Sequence, residues 1–406
     1  MKCRHCQKEL IHTFIDLGFA PPSNAYLTVE QLKQPEVYFP LKVKVCEQCW
    51  LVQTEDYAQA DDLFNADYAY FSSTSSSWLT HAKSYSESII GRLKLDSKSY
   101  VIEVASNDGY LLKNFVAAGI PCLGIEPTAG TAAAAEQLGI PVLREFFGET
   151  LAKQIADTKQ QADLIIGNNV FAHVPDINDF TLGLKAALKP QGTITLEFPH
   201  LMQLIQQVQF DTIYHEHFSY LSLFTVSKIF AAAGLRIWDV ETLPTHGGSL
   251  RIYGCHAQDR RKNSEAVNNM LSLELQNQLQ TLATYQQFQQ RADKVKNDLL
   301  GFLLEQKRLG KKVIGYGAAA KGNTLLNYAG VKPDLLPLIC DAARSKQGKF
   351  MPGSHIPIEA PDILHEQAPD CVLILPWNIK AEVKSQLPWL PKTTFVTAIP
   401  NLEMLT

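Results

Sequence analysis

The chain has 406 residues, 46% of them hydrophobic and 19% charged, with a formal net charge of −4. That length exceeds one ordinary core and predicts two or three globular domains, and the absence of any long Lys/Arg block removes the basic footprint of a nucleic-acid binder. No apolar run reaches the roughly 18 residues of a membrane span, and MKCRHCQKEL lacks the apolar stretch of a secretory signal, so the expectation is a monomeric cytoplasmic protein that engages neither nucleic acid nor membrane and acts on a small molecule.

The first elements are two cysteine knuckles. Cys3 and Cys6 form one C-x-x-C, and Cys46 and Cys49 form another. In a reducing compartment, such pairs are better explained by a tetrahedral Zn²⁺ on four thiolates than by disulfides, and four protein ligands close the shell, so the site is structural. His5, between the first two cysteines, leaves open a set of three cysteines and one histidine. The segment between the pairs is expected to build little core without the metal. Cys122, Cys255, Cys340 and Cys371 stand alone and read as small buried hydrophobes. Farther on, DYAYFSSTSSSW has the serine content of a flexible linker, but Tyr68, Tyr70, Phe71 and Trp78 around it predict an ordered lid.

From about residue 77, strand and helix signals alternate. Val101 to Val104 reads as a buried strand, Ser106-Asn107-Asp108-Gly109 as a tight turn, and a helix is predicted to begin near Tyr110. PCLGIE, ending at Glu126, is a second strand before an Ala-rich helix; ADLIIGNN and KPQGTITLEFP are two more. This alternation predicts a parallel, doubly wound α/β sheet with ligands beyond the carboxyl ends of its strands, hence a site lined by Glu103 to Gly109, Glu126, and Asn168 to His173. The first turn, EVASNDG, has one glycine and two carboxylates where a dinucleotide site wants G-x-G-x-x-G. Carboxylates would repel a pyrophosphate; they suit a cofactor with a cationic amino-acid part and a free ribose diol, for which Glu126 is placed as a bidentate acceptor.

IYHEHFSY follows at 213–220, with Tyr214, His215, Glu216 and His217 in succession and no turn former among them. Read as extended chain, it puts His215 and His217 on one face and Glu216 on the other, a pattern open to paired metal ligands as well as to proton transfer. Residues from about 257 to 310 are Gln-rich with a helical period and predict one or two long helices. KKVIGYGAAAKGN then reads as strand, glycine turn and helix. Gly315 to Ala320 fits G-x-G-x-x-A, and Asp341 follows at the distance a dinucleotide fingerprint asks, so this motif alone leaves an NAD-linked sugar-modifying enzyme as the alternative reading. Lys321 and Asn323 at the helix start suit a diphosphate or sugar.

Taken in order, the four cysteines, DYAYFSSTSSSW, EVASNDG, GIEPTAG, NNVFAHVPD, YHEHFSYLS, PTHGGSLRIY and GYGAAAKGN resemble the S-adenosylmethionine-dependent sugar C-methyltransferases along essentially the whole chain. The resemblance implies a zinc-binding domain (1–76), a doubly wound class I methyltransferase domain (77–256), and a helical linker with a Rossmann-like domain (257–406). It implies methylation of a carbon beside the keto group, C-3 of a 4-keto-deoxysugar linked to a nucleotide such as dTDP or GDP. Such chemistry needs a base matched to neutral pH, a group stabilising the enolate oxygen, and an aligned methyl donor. The resemblance places the base on His217, with Tyr214 and Glu216 positioning sugar hydroxyls or polarising the carbonyl, and Glu216 able to fix the imidazole tautomer. His173 and either Tyr68 or Tyr70 match the remaining catalytic positions. S-adenosylmethionine falls to Glu103, Ser106, Asn107, Asp108, Gly109, Glu126, Pro127, Asn168 and Asn169, and the sugar nucleotide to His215, His246, Lys321 and Asn323.

Overall fold

A computed structural model describes residues 1–57, 71–74, 76–158, 160–390 and 392–405. Tyr68 and Tyr70 lie outside the described residues. Three sheets organise the described residues.

The first sheet joins β1 (His12–Ala20), β2 (Phe39–Val45), β3 (Val52–Thr54) and a short strand from mid-chain, β9 (Ser219–Tyr220), in antiparallel order. Contrary to expectation, the segment between the cysteine pairs contributes many side chains to a hydrophobic core. Leu41, Val43 and Val45 alternate inward along β2, and Phe14, Ile15 and Leu17 are buried on β1. Phe14 stacks on Phe288 with ring centroids 4.5 Å apart. The sheet thus shares one core with the Phe288–Arg308 helix and the third sheet.

The second sheet has β4 (Val101–Val104), β5 (Cys122–Ile125), β6 (Val142–Leu143), β7 (Ala162–Asn168), β8 (Leu188–Pro199), β10 (Leu235–Leu243) and β11 (Ser249–His256), ordered β10-β11-β8-β7-β4-β5-β6. The predicted helical layers and parallel core are present, with one departure: β11 runs antiparallel to both of its neighbours. Both faces are buried, as a doubly wound sheet requires. Val101, Leu164 and Ile166 pack on the side of the Ser76–Leu93 helix, whereas Ile102, Val104 and Ile165 join the opposite core.

Three helices, Glu265–Gln276, Leu282–Gln286 and Phe288–Arg308, replace the one or two predicted as the connection. They lead to a third sheet of β12 (Val313–Tyr316), β13 (Ile339–Cys340), β14 (Ile358–Glu359), β15 (Cys371–Ile374), β16 (Thr394–Thr397) and β17 (Glu403–Leu405). Its order is β14-β13-β12-β15-β16-β17, parallel except for β17, which makes it Rossmann-like. The four lone cysteines are buried, as predicted. No helix among the described residues is long and apolar enough to cross a membrane.

Candidate active site

The turn after β4 is built from unusual backbone: Ala105, Asn107 and Gly109 all have positive φ. A Cβ on Gly109 would come within 2.5 Å of Ile140 Cδ1, so the turn needs glycine there for space as well as conformation. Glu126, at the end of β5, accepts hydrogen bonds from the backbone N–H groups of Asn107 (3.0 Å) and Thr128 (2.9 Å) and so binds the turn to the second strand. Pro127 separates these two attachments. Around them lies a group of buried polar atoms without a hydrogen-bond partner among the described residues: both carboxylate oxygens of Glu103, Ser106 Oγ, Asp108 Oδ1, the Asn168 amide and Asn169 Oδ1. Burial, with Asp108 and Glu126 nearby, pushes the Glu103 carboxyl well above its usual range. The end of the serine-rich segment covers this turn, with the Ser72 N–H donating to Asn107 Oδ1 (2.9 Å) and the Ser73 N–H to Asp108 Oδ2 (3.0 Å).

Next to it stands a cluster of aromatic and imidazole rings. His217 Nδ1 lies 2.8 Å from the Thr212 carbonyl, which can only accept, so Nδ1 carries the proton and Nε2 the lone pair. The His217 ring is 4.6 Å from that of His173 and 4.0 Å from that of Tyr214. Burial, followed by the neighbouring His173, holds the His217 pKa well below the ordinary histidine value; burial lowers that of His173 to about 4.

The extended reading of this segment is corrected. The His217 N–H donates to the Tyr214 carbonyl at 2.9 Å, closing a turn that sends the three side chains apart. His215 goes to the first sheet, 3.3 Å from the Pro40 carbonyl and edge-on to Phe39. Glu216 Oε1 accepts from Asn24 Nδ2 at 3.1 Å, and its carboxyl is raised by burial. Thr212 rather than Glu216 therefore fixes the imidazole tautomer. The two histidines do not form a ligand pair, and the one group of metal-competent side chains among the described residues is the four cysteines.

The third sheet closes the far side. Thr324 Oγ1 donates to the Ile213 carbonyl at 2.9 Å and fastens the Ala320–Ala329 helix beside the turn. Lys321 Nζ donates to Asn378 Oδ1 (2.8 Å) and sits 5.0 Å from the Trp377 ring, whose Nε1–H donates to Asp211 Oδ2 (2.8 Å). Asp211 and Trp377 were not foreseen: they lie far apart in sequence and neither falls in a motif. Burial raises the Asp211 carboxyl to about 6 despite the Lys321 charge. Asn323 has a buried Nδ2 without a partner among the described residues. His246 accepts from Asn169 Nδ2 at 3.2 Å and thereby joins this side to the turn after β7.

Three family models match the chain in sequence order: a zinc binding domain over residues 3–64, a methyltransferase domain over 79–240 and a C-methyltransferase C-terminal domain over 244–400. The chain is 34% identical to C-methyltransferase NovU of Streptomyces niveus over 94% of its own length and 91% of the relative's. It belongs to the C-methyltransferase family. Among solved structures, the chain resembles the PH0226 protein of Pyrococcus horikoshii (12% identity, TM-score 0.39, covering 46% of this chain and 94% of that one). It also resembles the magnesium protoporphyrin IX methyltransferase of Synechocystis (13%, TM-score 0.35, 44% and 83%). Neither likeness is close enough to bear on the chemistry.

The cofactor of this C-methyltransferase is S-adenosylmethionine, and the residues present fit it. A buried carboxylate group with no cation paired to it among the described residues is the complement of an α-ammonium and a ribose diol. Zinc fits the cysteines equally well. Four sulfurs about 2.3 Å from a tetrahedral zinc lie about 3.8 Å apart; here Cys3–Cys49 and Cys6–Cys46 are each 3.5 Å apart, and all four lie within 4.8 Å of one another. His5 is outside the set, its Nδ1 held 2.8 Å from Asn178 Oδ1. In the C-methyltransferase the G-x-G-x-x-A turn packs closely on the chain itself. A Cβ on Gly317 would meet Pro376 Cδ at 2.5 Å, and Asp341 accepts from the Ala318 N–H at 2.7 Å.

Proposed function

We propose that the enzyme methylates a carbon beside the keto group of a nucleotide-linked deoxysugar, C-3 of a 4-keto sugar, with His217 as the base. The observation that supports this most is the His217 imidazole: neutral, locked in one tautomer by the Thr212 carbonyl, with its Nε2 lone pair left for a substrate proton. The cofactor, when bound, supplies an electrophilic methyl group.

Everything else falls to the chain. Tyr214 and His173 flank the imidazole and shape the space in which the sugar ring must lie. A base weakened by burial gains from a substrate whose negative charge develops beside it, and the enolate oxygen offers that countercharge to the imidazolium. Tyr214 is the group proposed to stabilise the enolate oxygen or place hydroxyls, and Glu216 holds its place through Asn24. Lys321 and Asn323, at the start of a helix facing the turn, are proposed to meet the nucleotide's diphosphate. The domain boundaries we propose are 1–76, 77–256 and 257–406, with β9 lent by the middle domain to the first sheet.

The test is incubation with S-adenosylmethionine and a panel of dTDP- and GDP-linked 4-keto-6-deoxysugars, with mass spectrometry and NMR of the products. A single added methyl on a carbon flanking the ketone supports the proposal; methyl transfer to oxygen or nitrogen, or to none of the panel, contradicts it. A methyl at C-5 in place of C-3 would correct the carbon and keep the mechanism.

A further inference from the structure

We propose that Arg4, inside the first cysteine knuckle, is a positioning residue for the paired imidazoles of His217 and His173, so that the zinc module sets the geometry of the base. This rests on the proposed role of His217 and adds what holds that ring against its neighbour.

Arg4 lies between Cys3 and Cys6, and its side chain is only 6% exposed. The guanidinium is shared between two segments that carry the histidines. Nη1 donates to the Pro175 carbonyl at 2.7 Å, just beyond His173, and Nη2 donates to the Thr54 carbonyl at 3.2 Å. Thr54 in turn holds the other histidine: its Oγ1–H donates to the His217 carbonyl at 3.1 Å and its N–H to the Phe218 carbonyl at 3.2 Å. The same guanidinium lies over the Phe218 ring, 5.4 Å from its centroid and within reach of a cation–π contact. Phe218 follows His217, and its N–H donates to the carbonyl of Ala172, the residue before His173, at 2.8 Å. Arg4 therefore grips the chain beside each member of the His173–His217 pair, whose ring centroids are 4.6 Å apart.

The knuckle fixes Arg4 in its turn. The Arg4 backbone N–H donates to Gln53 Oε1 at 2.9 Å, and Gln53 Nε2 donates to Cys3 Sγ at 3.3 Å, so a fully buried amide ties the residue to one of the four thiols. Hydrogen bonds of this kind orient a metal's ligands and are set by them. On the other flank Asn178 Nδ2 donates to the carbonyls of Arg4 (3.3 Å) and His5 (2.9 Å), which docks the knuckle on the first turn of the Ile177–Ala187 helix. Arg4 also meets Asp56 at 2.7 Å, but the Asp56 side chain is half exposed and such a pair contributes little. The buried contacts, to two carbonyls and a ring, use the planar fork that lysine lacks.

The experiment uses the full-length, zinc-loaded protein and reads zinc content, calorimetric affinity for S-adenosylhomocysteine, and hydrogen exchange beside the ketone of a 4-keto sugar nucleotide in D₂O at saturating S-adenosylhomocysteine. Arg4→Met keeps the apolar stem; it should retain zinc, bind S-adenosylhomocysteine within about two-fold, and exchange roughly 10- to 100-fold more slowly, the scale of a misplaced catalytic group. In NMR spectra of protein labelled with heavy nitrogen at histidine, the His217 and His173 signals, assigned through His217→Asn and His173→Asn, should shift in Arg4→Met while those of His256 and His365 stay. Arg4→Lys keeps a charge near Phe218 without the fork and should recover only part of the rate. Exchange at the unmodified rate, or slowed exchange with a parallel loss of S-adenosylhomocysteine affinity, overturns the proposal. Zinc loss in both variants also overturns it, because Arg4 would then serve the fold of the module alone; if only Arg4→Met loses zinc, Arg4→Lys decides by the same readouts. An unmodified protein that shows no exchange would instead remove His217 as the base, and the nitrogen shifts would still decide whether Arg4 positions the two rings.

Discussion

Glu103 is a buried carboxyl whose two oxygens find no partner among the described residues, and its pKa is raised chiefly by burial. An ammonium bound beside it favours the carboxylate, so cofactor binding should release a proton. Calorimetric binding enthalpies should therefore vary with the ionisation heat of the buffer, and affinity should rise with pH; Glu103→Gln should abolish both effects, and their absence in the unmodified protein would contradict the assignment. Glu126→Ala removes the proposed ribose acceptor and two backbone hydrogen bonds. It should weaken cofactor binding by about 1.5–3 kcal/mol, the scale for hydrogen bonds to a charge. His217 has its pKa lowered by burial, so the neutral base persists as pH falls through the ordinary histidine value. The acid limb of kcat/KM should then lie below pH 6.5, the reference histidine value, and a limb at or above it would argue for another base. The grouping of Glu103, Ser106, Asp108, Glu126 and Asn168 was legible in the sequence because these residues are concentrated in EVASNDG and the strand ends around it. Asp211, Trp377 and Asn378 were not, because only the third sheet brings them to the site.

Among the elements, the Tyr214–His217 turn is where the sequence misleads. None of its residues prefers a turn; it forms because each side chain has a separate partner, Pro40 and Asn24 from the first sheet's segment and Thr212 just ahead of the turn. Pro40 and Asn24 lie 175 and 192 residues from the side chains they hold, and partners so distant leave no local signal. The G-x-G-x-x-A motif misleads differently. Its glycines are required, but for packing: Gly317, at φ 88°, lies under Pro376, and Gly315 lies against Ile339. Gly317→Ala should cost at least about 1–2 kcal/mol from the left-handed backbone alone, read as a lowered denaturation midpoint. Addition of NAD should not raise that midpoint in the unmodified protein, whereas a dose-dependent rise would reinstate the dinucleotide reading. The strands of the second sheet were legible because apolar runs bounded by turns leave little choice of element. The antiparallel sense of β11 was not, since direction is set by the connection from β10 rather than by composition.

Across the whole molecule, the cysteine module and the catalytic turn are physically continuous. β9 follows His217 closely and pairs with β3, which begins just after Cys49, while the Thr54 Oγ1–H donates to the His217 carbonyl at 3.1 Å. Loss of zinc should therefore reach the base. Elemental analysis should find about one zinc per chain, and Cys46→Ser should lose the metal, lower the unfolding midpoint and reduce turnover even though the cysteines are not part of the site; full activity without zinc would contradict this coupling. The modular order was legible from motifs alone, but this sharing of one sheet between distant segments was not, because so short a strand has no pattern of its own. The central claim, that His217 removes the proton beside the ketone, is tested most directly by exchange without methylation. A 4-keto sugar nucleotide is incubated in D₂O with the enzyme and S-adenosylhomocysteine, and the hydrogens flanking the ketone are monitored by NMR. The account predicts exchange at C-3 with the unmodified enzyme, and a loss of about 10²–10⁴-fold in His217→Asn at nearly unchanged cofactor affinity; His215→Asn, whose ring faces Pro40, should change it far less. Exchange at a near-normal rate in His217→Asn would contradict the account and move the base to another residue.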